Sequence, residues 1–139
     1  MYVMNNQDSE YDESFAQVQY TQLTGPVFAI LINTGNHTLT LYKTGKVFKT
    51  FPVAVGKPST PTPTGTFRII NKSVNPGGPF GVRWLGLSVP NGDYGIHGTN
   101  NSRSIGRSVS NGCIRMFNND VTELFDLVSI GASVKIIQE

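Results

Sequence analysis

The chain has 139 residues, the size of one domain and too small for a multidomain enzyme or a long repeat array. Charged residues make up 14% of it against a usual level of about 25%, while 15 glycines and 8 prolines supply many bends, a balance that suits a turn-rich β protein. The net charge of +2 is spread along the chain, which excludes the basic footprint of a nucleic-acid or anionic-lipid binder, and the longest apolar run, Val27 to Ile32, is far short of the roughly twenty residues that span a bilayer.

In chain order, residues 1–25 are polar, carry Asp8, Glu10, Asp12 and Glu13, and lack an apolar period. They read as a flexible or loosely docked tail ahead of a domain at 26–139. The amino terminus has neither the basic start nor the apolar stretch of a secretory leader, so export would need a removed leader or another route. Residues 27–33, VFAILIN, read as a buried strand, and Leu39 and Leu41 alternating with Thr38, Thr40 and Tyr42 read as a strand covered on one face. Asn33, Thr34, Gly35 and Asn36 join the two as a hairpin. A third strand follows the Thr44-Gly45 turn, and its Pro52 fits an edge or a bulge.

GKPSTPTPTG, residues 56–65, has three prolines that fix the backbone and remove amide donors, so it predicts a stiff loop whose task is to hold a shape. TFRII, WLGLSV and YGIH are further extended pieces around a loop at 75–81. Val121, Leu124, Phe125 and Val128 fall at i, i+3, i+4 and i+7 and predict an amphipathic helix, with Asn119 or Asp120 as cap and Gly131 past its end. SVKIIQ closes the chain as a strand. The sum is a mainly β sandwich or barrel of mixed sheets with one α-helix packed against it near the carboxyl end.

Residues able to do chemistry gather between 94 and 116. Cys113 is the single cysteine, so no internal disulfide forms, and with His37 and His97 alone beside it the usual ligands for structural zinc are too few. A thiol attacks as thiolate, and an imidazole brought beside it can take its proton and stabilise the ion pair. Gly98, Gly106 and Gly112 let the chain between His97 and Cys113 fold back to unite them. Gly112 can also adopt positive φ and turn amides toward a carbonyl oxygen that becomes an oxyanion. If a strand follows, Arg115 shares the face of Cys113 and can pair a substrate carboxylate or fasten the loop. The imidazole needs an acceptor on its other nitrogen; a backbone carbonyl is more economical than Asp93. Each residue also has a plainer reading: Cys113 as a small buried hydrophobe, His37 as a solvated polar residue, Trp84, Phe28, Phe67 and Phe125 as core, and Arg103 and Arg107 on a solvated loop.

IHGTN followed by SNGCIRM, together with VAVGK, PTPTGTF and the closing helix and strand, resembles the L,D-transpeptidase catalytic domain, also called the YkuD domain, over about residues 27–137. The resemblance implies an L,D-transpeptidase-like β sandwich. Carried onto this sequence, it implies Cys113 as nucleophile, His97 as general base, and the main-chain carbonyl of Gly98 as the group that orients the imidazole. It further implies oxyanion-hole amides from Gly112 and Cys113, with Asn111 as a third contributor, and Ser110 and Arg115 as flanking, substrate-binding motif positions. Many members carry histidine where this chain has Asn111, which puts any donor or relay role of that imidazole in doubt. The implied reaction is acyl transfer on peptidoglycan stem peptides: D-alanine leaves, a thioester forms, and an amine closes a 3→3 cross-link, with no metal or organic cofactor and with carbapenem-type β-lactams as covalent inhibitors. Water as acceptor would make an L,D-carboxypeptidase; a non-catalytic wall-binding domain is the reading from another class. The resemblance also implies a location in the cell wall or another extracytoplasmic site.

Overall fold

The computed structural model describes residues 25–139, so the expected tail lies outside the described residues apart from Gly25. Ten strands follow in chain order: β1 (Phe28–Asn33), β2 (Thr38–Lys43), β3 (Lys46–Pro52), β4 (Val55–Gly56), β5 (Gly65–Val74), β6 (Arg83–Leu87), β7 (Gly95–His97), β8 (Ser108–Ser110), β9 (Ile114–Arg115) and β10 (Ser133–Ile137). One α-helix, α1 (Asn118–Leu127), falls between β9 and β10. Eight strands make one mixed sheet in the order β3-β2-β1-β10-β5-β6-β7-β9, and β4 and β8 pair beside it.

The sandwich is this sheet curled over itself. β5 belongs to both halves: its first residues pair β10, with Arg68 opposite Ser133, and its later ones pair β6, with Ser73 opposite Trp84. The register slips between Ile69 and Asn71, where the strand bends from one half into the other. Between the halves lie Ile30, Ile32, Leu39, Leu41, Leu85, Ile96, Ile114 and Val134, each fully buried. Every one comes from a strand whose pattern presents it inward, and each contributes about 1.5–3 kcal/mol by leaving water. The β1-β2 hairpin forms as expected, and Pro52 sits on β3, an edge strand, where its missing N–H interrupts no ladder.

Helix α1 packs on β6 and β7 through Val121 and Leu124, with Val128 buried just beyond its last turn. Its start differs from the sequence reading. Neither Asn119 nor Asp120 caps it; the cap position is Phe117, which makes no side-chain cap bond, and the helix begins at Asn118. The Asn118 side chain turns away from the helix to serve the strand beside it: Oδ1 accepts from the Thr99 amide at 3.1 Å and Nδ2 donates to the Thr99 carbonyl at 3.0 Å. At the other end the Lys72 Nζ reaches from β5 and donates to the carbonyls of Phe125 (2.7 Å) and Val128 (2.8 Å), satisfying groups that a helix terminus leaves open.

Candidate active site

β7 and β9 run parallel, with Ile96 opposite Ile114 and His97 opposite Arg115. Ile96 and Ile114 point into the core at 0% exposure, so the alternating residues Gly95, His97, Cys113 and Arg115 share the other face. Cys113, one residue before β9, therefore stands diagonally across from His97. The strand spacing of about 4.8 Å and rise of about 3.3 Å per residue put such positions roughly 8 Å apart at the backbone, a gap that an imidazole and a thiol span together. The pairing supplies the fold-back that the sequence requires.

His97 is 3% exposed, and its Nδ1 lies 2.5 Å from the Gly98 carbonyl. A carbonyl only accepts, so Nδ1 carries the hydrogen and Nε2 keeps the lone pair of a base. The Trp84 ring stacks on the imidazole at 5.7 Å and 14°, and Phe80 meets it edge-on at 5.1 Å. Trp84 fits because Gly95, next to it on β7, has no side chain; a Cβ there would come within 2.6 Å of the indole. The thiol is half-buried, with Sγ 3.8 Å from the Asp93 carbonyl.

Desolvation by this cover lowers the pKa of His97; the Gly98 carbonyl opposes the shift and the Arg115 charge adds to it. Desolvation likewise raises the pKa of Cys113, against the lowering influence of the Gly95 backbone and of Arg115, with the Asp93 charge raising it further. Both directions favour neutral imidazole and neutral thiol in the unliganded site. The sequence reading expects a sulfur already anionic; burial, which a motif does not display, sets the resting state the other way.

The loop that carries Cys113 is held from within and from behind. The Ser110 hydroxyl, buried at 2% exposure, donates to the Cys113 carbonyl at 2.6 Å and accepts from the Gly112 amide at 3.0 Å. The Gly112 amide, which the resemblance implies as an oxyanion-hole donor, is thus engaged by Ser110, and the Ser110 hydroxyl is turned into the loop. Gly112 itself is required for shape: its φ is +124°, and a Cβ would strike the Tyr94 ring at 2.6 Å. Behind the loop lies the stiff segment 56–65. There the Thr62 hydroxyl donates to the Gly112 carbonyl at 2.8 Å, and the Thr60 hydroxyl and Lys57 amide donate to the Ser110 carbonyl at 2.8 and 3.0 Å. Lys57 Nζ donates to Asn111 Oδ1 at 3.1 Å. Arg115 is half-buried, its backbone bridged to Ala54.

Among the described residues no three His, Cys, Asp or Glu side chains converge as metal ligands, and no helix is long and apolar enough to cross a membrane. The L,D-transpeptidase catalytic domain family matches residues 28–136. The chain belongs to that family. It is 56% identical over 109 residues to the putative L,D-transpeptidase YkuD of Bacillus subtilis, covering 78% of this chain and 65% of that protein. The matched region thus spans slightly under two thirds of the relative's length. In structure the domain is similar to the catalytic domain of the Enterococcus faecium L,D-transpeptidase, with a TM-score of 0.68 and 27% identity, covering 83% of this chain and all of that one. It is also similar to the L,D-transpeptidase LdtMt1 solved in complex with imipenem, with a TM-score of 0.68 and 25% identity over 81% of this chain and 60% of that one.

Several residues of this L,D-transpeptidase domain escape a reading of its motifs. Trp84, expected in the core, instead covers His97; Asn118 pins the chain leaving β7; Thr60 and Thr62 carry the Cys113 loop. No sequence signal marks the first, because the glycine that makes room for the indole, Gly95, lies on a neighbouring strand. The threonines were visible only as part of a stiff loop with no stated partner.

Proposed function

We propose that the chain is a peptidoglycan L,D-transpeptidase that forms 3→3 cross-links through a Cys113 thioester with loss of D-alanine. The observation that carries this reading is the placement of His97 and Cys113 on one face of paired strand ends, with the second imidazole nitrogen committed to Gly98. In the first half-reaction Nε2 of His97 takes the thiol proton as sulfur attacks the stem-peptide carbonyl next to D-alanine. With the Gly112 amide engaged, the amides of Cys113 and Asn111 are the donors for the developing oxyanion. Collapse transfers the proton from His97 to the departing D-alanine nitrogen and leaves the thioester, which a second stem's amine then attacks. The neutral resting pair suits this sequence, because proton transfer accompanies attack and no buried ion pair is maintained between turnovers.

The relative solved in complex with imipenem supports carbapenem acylation of Cys113, and family membership supports action on extracytoplasmic wall material. Intact-mass spectrometry of the protein with a tetrapeptide stem and an amine acceptor is expected to show acyl-enzyme and cross-linked dimer, both lost in Cys113→Ala. D-alanine release without dimer at high acceptor concentration would identify an L,D-carboxypeptidase instead. Neither acyl-enzyme nor carbapenem adduct would point to a wall-binding domain and overturn the enzymatic reading.

A further inference from the structure

Between β5, β6 and the segment leading into β7 lies a cavity of about 460 Å³ with Phe80, Trp84 and Tyr94 among its walls. Asn71, Ser73 and Asp93 give it polarity; Asp93 is its one charged lining residue, and no lysine, arginine or histidine lines it. Residues of its lining adjoin both His97 and Cys113. Phe80 and Trp84 are the rings laid on His97, and the Asp93 carbonyl is the neighbour of the Cys113 sulfur at 3.8 Å. The Trp84 indole is fixed there by its N–H, which donates to Asn71 Oδ1 at 3.0 Å.

Charge is divided across the nucleophile. Outside the cavity lining stand Arg115, on β9 itself, and Lys57, the latter bonded to Asn111 in the Cys113 loop. On the cavity flank stand aromatic faces and a carboxylate. Anionic parts of a substrate are drawn to the first and repelled from the second, whereas a cation is drawn to aromatic faces and a carboxylate together.

We propose that this cavity seats the acceptor, and that it recognises a primary ammonium group on a chain with no carboxylate beside that nitrogen, held by Asp93 against the rings of Trp84, Phe80 and Tyr94. The proposal rests on the transpeptidase reading for its chemistry. Delivered to the thioester, the bound ammonium gives one proton to solvent, and the amine nitrogen then forms a bond to the acyl carbon. Its second proton passes to His97, the C–S bond breaks with its electrons on sulfur, and His97 returns the proton to Cys113. One amide and the starting enzyme result.

Trp84 is the single tryptophan of the chain, so its fluorescence reports this cavity directly. In the Cys113→Ala protein, titration with Nα-acetyl-lysinamide should change Trp84 emission saturably, with affinity weakened about tenfold by Asp93→Asn and restored by Asp93→Glu. The same molecule acetylated on its side-chain nitrogen should give no saturation. Absence of a saturable change, equal binding to Asp93→Asn, or equal binding of the acetylated molecule overturns the proposal. In the unsubstituted-cysteine protein, Asp93→Asn should raise the acceptor KM about tenfold, and Asp93→Glu should bring it back. Failure of the donor to form any acyl-enzyme would remove the transpeptidase reading, while the fluorescence titration still decides the ammonium site.

Discussion

Burial acts in opposite directions on the two reacting groups, lowering the pKa of the His97 imidazole and raising that of the Cys113 thiol. In the unliganded protein, alkylation of Cys113 by iodoacetamide is therefore expected to accelerate only above the ordinary thiol pKa of about 8.5. Arg115 lowers the thiol pKa, so Arg115→Gln should move that midpoint further up. A midpoint well below the ordinary value would instead reveal a preformed ion pair. For His97 the sign is reversed: the base form persists below its ordinary pKa of about 6.5, so the acid limb of the acylation rate should lie under that value. Folding stability carries the same signature, since the unfolded chain binds the His97 proton first and the fold loses stability as pH falls through that range.

Elements, not single residues, hold the nucleophile loop. Thr62 accepts from the Gly56 amide at 3.0 Å and donates to the Gly112 carbonyl, so one hydroxyl ties the stiff segment 56–65 to itself and to the loop of Cys113. Thr62→Val keeps the side-chain shape and strands two polar groups, at a cost of about 1–3 kcal/mol each. We expect acylation by a carbapenem to slow more than the loss of folded protein accounts for, with Thr62→Ser restoring it. If the valine variant loses activity only in step with its thermal midpoint, the tie is structural alone. At the end of α1, Lys72→Met removes the ammonium from two carbonyls and should destabilise by about 1–2 kcal/mol, lowering Tm by roughly 3–8 °C. Acylation measured well below that midpoint should stay unchanged, because α1 faces the core side of β6 and β7.

For the molecule as a whole, the last strand in the chain is central in the sheet. β10 lies between β1 and β5, parallel to the first with Ala29 opposite Ser133 and antiparallel to the second. Nothing closes the sandwich until residues 133–137 are in place, so removal of 133–139 should leave two open strand edges and an unfolded or aggregated product. Soluble protein with native circular dichroism and carbapenem acylation after that truncation would contradict this account.

Much of this was legible without coordinates. Alternation in TLTLYK and the continuous run of β1 mark a half-covered strand and a buried one, because side-chain period follows directly from backbone geometry. The spacing in DVTELFDLV marks α1 for the same reason, and the segment pair IHG and SNGC marks the imidazole and thiol that the fold brings to one face, because few residue types offer such chemistry. The sequence by itself determined the periods, the breaks and the chemical inventory, all of which are local. Tertiary structure alone decided that β10 enters the centre of the sheet, that Asn118 abandons the helix for Thr99, and that Ser110 claims the Gly112 amide. It also decided that Trp84 covers an imidazole instead of filling the core. Each of these depends on which distant group arrives within hydrogen-bond or van der Waals reach, and so does the protonation of the dyad, since desolvation is a property of the surroundings and not of the residue.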